Sequence, residues 1–264
     1  YGAITLPWKR TMTDPKRIVL VTGGARGIGY GIAECFAEQA CDIVIADLTA
    51  ESASDAAERL AASAGVDALG LACDVANRAA VEQMVEQAVA RFGRIDVLVN
   101  NAGVCPFVPA MEMSPETFQK TIDINLTGPF HCTQAVAQHM IDRGEGGNII
   151  FVTSLNEDFT NASQVDYASS KGGLRMQMKA FCLALGKHRI RCNAVAPGMM
   201  LTDMTRHHWE KPENDAYIRQ RVPVGRIGVP RDIGGACVFL ASDAAGYVNG
   251  TTITIDGGFT ASCP

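Results

Sequence analysis

The 264-residue sequence lacks the features of several protein classes. No apolar run approaches the roughly 20 residues that a helix needs to span a bilayer. There is no basic excess, because 23 Lys and Arg face 28 Asp and Glu and give a formal net charge of -5, which argues against nucleic acid as the main partner. The nine cysteines are odd in number and widely spaced, and they contain no CxxC pair. We therefore expect a cytoplasmic protein with reduced thiols, most of them small core residues.

Residues 1–11 also lack the charged start, the long apolar core and the small-residue cleavage site of a secretion signal. We interpret them as non-native residues ahead of a native start at Met12, or alternatively as a native arm that contacts another subunit. With 47% hydrophobic residues, the chain can bury one large core. We expect residues 12–264 to form one α/β domain, although the length also allows two small domains.

A glycine-rich loop follows the first predicted strand. Residues 17–22 are a short, apolar, β-branched run, which is typical of a strand buried on both faces. Glycines then occur at positions 23, 27 and 29, ahead of an amphipathic helix to about residue 40. These glycines allow a tight turn and a close approach of the backbone to a pyrophosphate, which the positive end of the helix would bind. The loop predicts a dinucleotide site.

The second predicted strand, residues 42–46, ends in an acid that favours one cofactor. Asp47 lies eighteen residues after Gly29, where a carboxylate can accept both ribose hydroxyls of an adenosine. The same charge would repel a 2′-phosphate, so we predict NAD rather than NADP. Arg26 favours the NADP alternative, because its guanidinium could pair with a phosphate. For Asp47 a solvated acid at a strand end is the structural alternative.

Two more predicted strands, residues 68–72 and 95–99, end in polar or small residues. Cys73-Asp74-Val75 closes the third strand, and Asp74 could accept a hydrogen bond from an adenine amino group. Asn100-Asn101-Ala102-Gly103 follows the fourth strand, and its small residues leave room for a ribose and a nicotinamide. Ligands bind at these carboxyl ends in open α/β sheets.

Tyr167 and Lys171 lie four residues apart in a helix predicted over residues 165–186, so they share one helix face. A phenol titrates near pH ~10, and a nearby ammonium favours the phenolate, which lowers the phenol pKa towards the range of a general base. Ser154 follows a strongly apolar strand and could hold a substrate oxygen against the phenol. The structural alternative is that Tyr167 and Lys171 are simply two exposed residues on one helix face, and the other motifs of the chain disfavour it.

These motifs occur together in one order: Thr22-Gly23-xxx-Gly27-x-Gly29, Asn100-Asn101-Ala102-Gly103, Asn125, Ser154, Tyr167-xxx-Lys171 and Pro197-Gly198. In that order and spacing, from Arg17 to Gly258, the chain resembles the short-chain dehydrogenase/reductase family. The resemblance implies an α/β fold with a single Rossmann-type, doubly wound parallel sheet. Its seven strands would lie in the order 3-2-1-4-5-6-7 with helices on both faces. The resemblance also implies a homotetramer.

The resemblance further implies a catalytic tetrad of Asn125, Ser154, Tyr167 and Lys171. Tyr167 would exchange a proton with the substrate hydroxyl, while Ser154 positions the reacting oxygen. Lys171 would lower the tyrosine pKa and hold the nicotinamide ribose, and Asn125 would support a water in a proton relay. The hydride would pass directly between substrate carbon and nicotinamide. The predicted cofactor-binding residues are Gly23, Arg26, Gly27, Ile28, Gly29, Asp47, Asp74, Val75, Asn101, Ala102, Gly103, Tyr167, Lys171, Pro197, Gly198 and Thr202.

By resemblance, Thr202 would bond the nicotinamide carboxamide and begin a mobile substrate lid over about residues 199–222. The lid contains the adjacent histidines His207 and His208. Neighbouring side chains on a helix point apart, so we predict no metal site there.

The substrate is indicated by residues after Ser154. Glu157 lies three residues after the serine and Ser-Lys-Gly-Gly ends at Gly173, as in glucose 1-dehydrogenase-like members of the family. Asn156, Glu157 and Gln164, together with Ser154 and Tyr167, would present donors and acceptors suited to several hydroxyls. We therefore predict oxidation of a sugar at its anomeric carbon to a lactone, or of a polyol. A solvated loop is the alternative for Asn156 and Glu157, and the sequence does not say whether Cys105 touches substrate or packs.

The motifs also allow other functions. A ketone reductase acting on a 3-oxoacyl, aromatic or steroid substrate is the alternative enzyme, although Asp47 disfavours the NADPH that biosynthetic reductases use. A nucleotide-binding sensor on an inactive frame is the alternative of another class, and the complete tetrad disfavours it. A serine hydrolase is excluded because Ser154 lies in no GxSxG motif.

Overall fold

A computed structural model describes residues 16–202, 205–209 and 212–262. Seven parallel strands form one sheet in the order β3-β2-β1-β4-β5-β6-β7, which confirms the predicted topology. The strands are β1 (Ile18–Thr22), β2 (Asp42–Asp47), β3 (Ala68–Ala72), β4 (Val97–Asn100), β5 (Gly147–Val152), β6 (Ile190–Pro197) and β7 (Thr252–Ile255).

Helices cover both faces of this sheet, because both faces of the central strands are apolar. Successive residues of β1 alternate between two buried clusters: Ile18 and Leu20 belong to one, Val19 and Val21 to the other. The nine helices of the described residues are α1 (Gly27–Ala37), α2 (Ala50–Ala64), α3 (Arg78–Phe92), α4 (Pro115–Ile122), α5 (Gly128–Arg143), α6 (Val165–Leu185), α7 (Arg206–Trp209), α8 (Pro212–Arg221) and α9 (Pro230–Ala241).

Local signals fix several helix ends. Thr49 accepts a hydrogen bond from the amide of Ser52 at the start of α2, and Asn77 does the same for the first amides of α3. Gly65 and Gly93 end these two helices in the left-handed conformation that favours glycine.

The middle of the chain differs from the single helix that the sequence predicts over residues 115–140. Here α4 and α5 are joined by one π-helical turn, Asp123–Thr127. A π turn inserts one extra residue into a helix, and such turns are frequent at functional sites. The buried Asn125 lies in this turn.

The segment that follows β6 contains α7 and α8, within the range predicted as a lid. Residues 1–15, 203–204, 210–211 and 263–264 lie outside the described residues, so the interpretation of residues 1–11 is not tested. Among the described helices, none has the length and apolar character needed to cross a membrane.

Candidate active site

The glycine loop after β1 depends on residues without side chains. Gly23 and Gly27 have φ angles of +60° and +55°, which favour glycine. A Cβ at Gly29 would lie 2.2 Å from the Gly23 carbonyl oxygen. The backbone therefore favours glycine at positions 23 and 27, and close packing favours it at position 29.

A second loop holds the glycine loop in place. The Asn101 amide nitrogen donates to the carbonyls of Thr22 and Gly23, both at 2.9 Å. The Thr22 hydroxyl accepts from the backbone N–H groups of Asn101 and Ala102 at 3.1 and 3.2 Å. Asn101, predicted to touch the cofactor, thus has its side chain engaged in shaping the loop that would bind it.

The start of α1 fits a dinucleotide pyrophosphate. Its N-cap residue, Arg26, makes no side-chain capping bond, so it leaves the first amides of the helix open to a ligand. Thr202 lies beside the loop, 3.7 Å from the position of a Cβ on Gly27. The donors of the helix end and the absence of side chains at Gly23, Gly27 and Gly29 suit an anion.

Asp47 occupies the end of β2, where its carboxylate is fixed. One oxygen accepts from the backbone N–H of Ala25 at 3.0 Å, and the other from that of Leu48 at 2.8 Å. Both oxygens keep lone pairs for ribose hydroxyls. A pocket of about 890 Å³ beside the acid is also lined by Arg26 and Arg59.

Arg59 is a residue that the sequence analysis did not identify. It donates to the Ala25 carbonyl at 3.1 Å, and its guanidinium lies 4.5 Å from the centre of the Tyr30 ring. Its position on the helix that follows Asp47 is the only sign in the sequence that it could lie near the cofactor, and single arginines on exposed helices are common. Two guanidinium groups therefore share the pocket with Asp47 and could offset its charge.

The remaining predicted cofactor residues lie at the same edge of the sheet. Asp74 is exposed and accepts from the Ala76 amide, while Val75 is buried. Gly103 approaches the catalytic region, since a Cβ there would lie 3.3 Å from the Asn125 side-chain oxygen. The others are partly buried or buried around the ends of β1, β4 and β6: Ile28, Ala102, Pro197 and Gly198.

Tyr167 and Lys171 share one face of α6, as predicted, and the Lys171 nitrogen lies 5.5 Å from the centre of the phenol ring. Lys171 is buried and donates to the Val152 carbonyl at 2.9 Å. Burial lowers the pKa of Lys171 to about 8. Burial also raises the pKa of Tyr167 to about 12, although part of the residue remains exposed.

The predicted lowering of the Tyr167 pKa by Lys171 is therefore not found in this structure. The Ser154 hydroxyl lowers the pKa through a hydrogen bond, but the effect of burial is larger. Lys171 instead directs its ammonium to the carbonyl at the end of β5. A phenolate at Tyr167 would give this ammonium a second partner.

Asn125 is completely buried at the π turn. Its side-chain oxygen accepts from the Val104 amide at 2.8 Å, and its nitrogen donates to the Val104 carbonyl at 2.8 Å and to Ser170 at 3.1 Å. Both amide hydrogens are thus used by protein groups. The side chain links the loop after β4 to α6, and the predicted water relay is not tested.

A chain of polar side chains extends from the catalytic serine. The Ser154 hydroxyl lies 3.2 Å from the Asn156 oxygen, and the Asn156 nitrogen donates to Gln164 at 3.0 Å. Gln164 in turn donates to the Cys105 sulfur at 3.2 Å. Cys105 is therefore in the site, and burial raises the pKa of its thiol.

Glu157 does not join this chain. Its side chain is only 5% exposed and its carboxylate lies 3.4 Å from the Nε of Arg175 on α6. The prediction grouped Glu157 with Asn156 and Gln164, but the short 3₁₀ turn Leu155–Glu157 directs its carboxylate to another partner. Arg175 was not identified from the sequence, because only the fold shows that it meets this turn.

No cluster of three or more His, Cys, Asp or Glu side chains suited to a metal occurs within the described part of the chain. The side chains of His207 and His208 lie outside the described residues.

Comparisons with known proteins agree with this geometry. A family model described as "Enoyl-(Acyl carrier protein) reductase" matches residues 23–260. The chain is 41% identical over 246 residues to L-rhamnose 1-dehydrogenase (NAD(P)(+)) of Azotobacter vinelandii, covering 92% of this chain and 96% of the relative. It is 39% identical over 244 residues to D-threitol dehydrogenase of Mycolicibacterium smegmatis, covering 92% and 93%.

A solved structure is similar over nearly the whole fold. It is a gluconate 5-dehydrogenase from Burkholderia cenocepacia in complex with NADP and tartrate, with a TM-score of 0.88 and 37% identity. The match covers 94% of this chain and 96% of that one. The family expected from the sequence motifs is confirmed: the chain belongs to the short-chain dehydrogenase/reductase family and is an oxidoreductase.

Proposed function

We propose that the protein is an NAD(P)-dependent dehydrogenase that oxidises a sugar at its anomeric carbon to a lactone, and that polyols are its second substrate class. The observation that carries the proposal is the chain Ser154, Asn156 and Gln164, which lines the catalytic region with amide and hydroxyl groups. These groups bond one another in the structure, and the hydroxyls of a sugar can replace those bonds, whereas an apolar steroid or acyl substrate offers them no polar partner. The relatives named L-rhamnose 1-dehydrogenase and D-threitol dehydrogenase support both classes.

In this proposal Tyr167 moves the proton. Its phenolate oxygen accepts the proton of the substrate hydroxyl, and Ser154 holds the substrate oxygen at the phenol. The nicotinamide, when bound, supplies the hydride acceptor. The buried Lys171 ammonium balances the negative charge on the phenolate, which the raised pKa of Tyr167 makes necessary.

The cofactor preference in this proposal follows from Asp47. The amide of Ala25 in the glycine loop and that of Leu48 after β2 each donate to one of its oxygens, which holds the carboxylate at the rim of the cofactor pocket. We propose NAD as the preferred cofactor. Arg26 and Arg59 line the same pocket and leave NADP as a second cofactor.

We extend the proposal to the domain, the substrate lid and the assembly. Residues 12–264 act as one dinucleotide-binding domain, and residues 199–222 act as the substrate lid, in which Thr202 lies beside the glycine loop. We further propose a homotetramer in the cytoplasm. Support for an assembly comes from large apolar side chains exposed on α5, α6 and α9, among them Phe130, Met176, Leu183 and Phe239.

The test is the rate of NAD and NADP reduction with a panel of aldoses, polyols and simple secondary alcohols. We expect aldoses to give the highest kcat/KM, and Tyr167→Phe to reduce kcat by about 10³-fold while cofactor binding is retained. Gln164→Leu should raise the KM of the aldose and leave that of a simple secondary alcohol unchanged. Activity only on apolar alcohols or ketones would refute the sugar site, and full activity of Tyr167→Phe would refute the mechanism.

A further inference from the structure

Glu157 is a buried carboxylate that the proposed reaction does not use. Its side chain is 5% exposed, and one of its oxygens lies 3.4 Å from the Nε of Arg175, while the other has no hydrogen-bond partner among the described residues. Burial raises the pKa of Glu157, opposed by the Thr153 hydroxyl and by Arg175. Burying a carboxylate with so few partners destabilises the folded state, which is typical of a group that is kept for its function.

The two partners belong to the two elements that carry the catalytic groups. Glu157 ends the short turn that begins at Ser154, and its backbone N–H donates to the Ser154 carbonyl at 3.0 Å. Arg175 lies on α6 one turn after Lys171 and two turns after Tyr167. The ion pair therefore joins the serine turn to the tyrosine–lysine helix.

The two elements also come into van der Waals contact near Gly172. A Cβ at Gly172 would lie 3.7 Å from the Glu157 carbonyl oxygen. Arg175 has a second partner, Asp158, whose side chain is 55% exposed. Arg175 is 31% exposed and its Nε makes no hydrogen bond within the described part of the chain, so solvent screens its ion pair with the buried Glu157 in part. Solvent screens the pair with the exposed Asp158 more strongly, so Glu157 is the less screened of the two partners.

Glu157 also acts on the charge of the site. Its negative charge opposes the effect of burial on Lys171 and so favours the ammonium. The charged groups around the carboxylate are Arg175 and Lys179 on α6, Lys171 on the same helix, and Asp158 on its own turn. Removing the carboxylate would therefore make the loss of a proton from the Tyr167–Lys171 pair easier.

We propose that Glu157 is a positioning residue: the ion pair of its buried carboxylate with Arg175 fixes the Ser154 turn against the helix that carries Tyr167 and Lys171. This inference rests on the proposed dehydrogenase activity but not on the sugar substrate. It replaces the interpretation of Glu157 as a ligand for substrate hydroxyls.

The experiment compares Glu157→Gln with Asp158→Asn, which removes the exposed partner of the same arginine. We expect Glu157→Gln to lower kcat by about tenfold, because small displacements of catalytic groups have large effects on rate. The KM for the alcohol should stay within about twofold, and the rising limb of the pH profile for oxidation should shift to lower pH. Asp158→Asn should match the wild type, and Glu157→Asp should recover the position of the limb.

Three outcomes would overturn the inference. The first is a wild-type kcat and pH profile in Glu157→Gln. The second is an equal loss in Asp158→Asn, which would point to Arg175 alone. The third is a raised KM with unchanged kcat, which would return Glu157 to the substrate site. Kinetics are measured with whichever alcohol the wild type oxidises, so failure of the sugar proposal is seen separately in the substrate panel, and thermal melts check that each variant is folded.

Discussion

Replacing Asp47 by serine should shift the cofactor preference towards NADP. The carboxylate is fixed by the Ala25 and Leu48 amides, at 3.0 and 2.8 Å, on the rim of the pocket that Arg26 and Arg59 line. A phosphate dianion about 6 Å away, at an effective dielectric constant of about 60, would be repelled by about 2 kcal/mol. Removing the charge therefore favours NADP over NAD by about 30-fold. Serine still offers an acceptor to the two amides, so the loop should keep its shape.

The assay is the ratio of kcat/KM for NAD and NADP with one alcohol at fixed ionic strength. Asp55→Asn is the matched control, because Asp55 is an exposed acid that lines the same pocket but lies on α2. The control should keep the wild-type ratio to within about threefold, as expected for a screened surface charge. A ratio in Asp47→Ser that stays within threefold of the wild type, or an equal shift in the control, would refute the argument.

Two further predictions concern stability and the loop. Lys171→Met should abolish activity. The same change should stabilise the fold at pH 7 by up to about 3 kcal/mol, because a charged amine in the buried position destabilises the folded state; loss of the hydrogen bond to the Val152 carbonyl would reduce this gain. The pKa of Lys171 falls from 10.5 in the unfolded state to about 8 in the folded state, so wild-type stability should rise as pH increases from 8 to 10.5 and stay level above that, where the advantage of the variant should be lost. A variant less stable than the wild type in urea at pH 7 would contradict this. Gly29→Ala should abolish cofactor binding, measured by calorimetry, since its Cβ would lie 2.2 Å from the Gly23 carbonyl oxygen. The control Gly235→Ala has open space around the new Cβ, so it should keep cofactor binding and gain about 0.5–1 kcal/mol in the free energy of unfolding.

Much of the fold was predictable because parallel strands buried on both faces leave a simple sequence pattern. The run Ile18–Thr22 is entirely buried, and its glycine loop follows where the pattern places it. The sequence also predicts a helix over residues 78–92, and α3 has these bounds, with Asn77 and Gly93 as its caps. Local chemistry decided these elements.

The rest depended on tertiary contacts. In the π turn at Asp123–Thr127, Asn125 bonds the backbone of Val104, which lies 21 residues earlier in the chain. A helical sequence pattern gives no sign of such a contact. The orientation of Glu157 depends in the same way on Arg175, eighteen residues later on another element. Burial raises the pKa of Tyr167, and the spacing of Tyr167 and Lys171 in the sequence gives no indication of that burial.

The attachment of the glycine loop to Asn101 has a consequence for fragments of this fold. The first βαβ unit contains the glycines, yet the amide that bonds the carbonyls of Thr22 and Gly23 belongs to the loop after β4, almost eighty residues later. A peptide that ends after β2 would have the sequence of a mononucleotide-binding motif without the group that shapes it. The nucleotide loop is thus a product of the assembled sheet, and it becomes competent only when the fourth strand has docked beside the first.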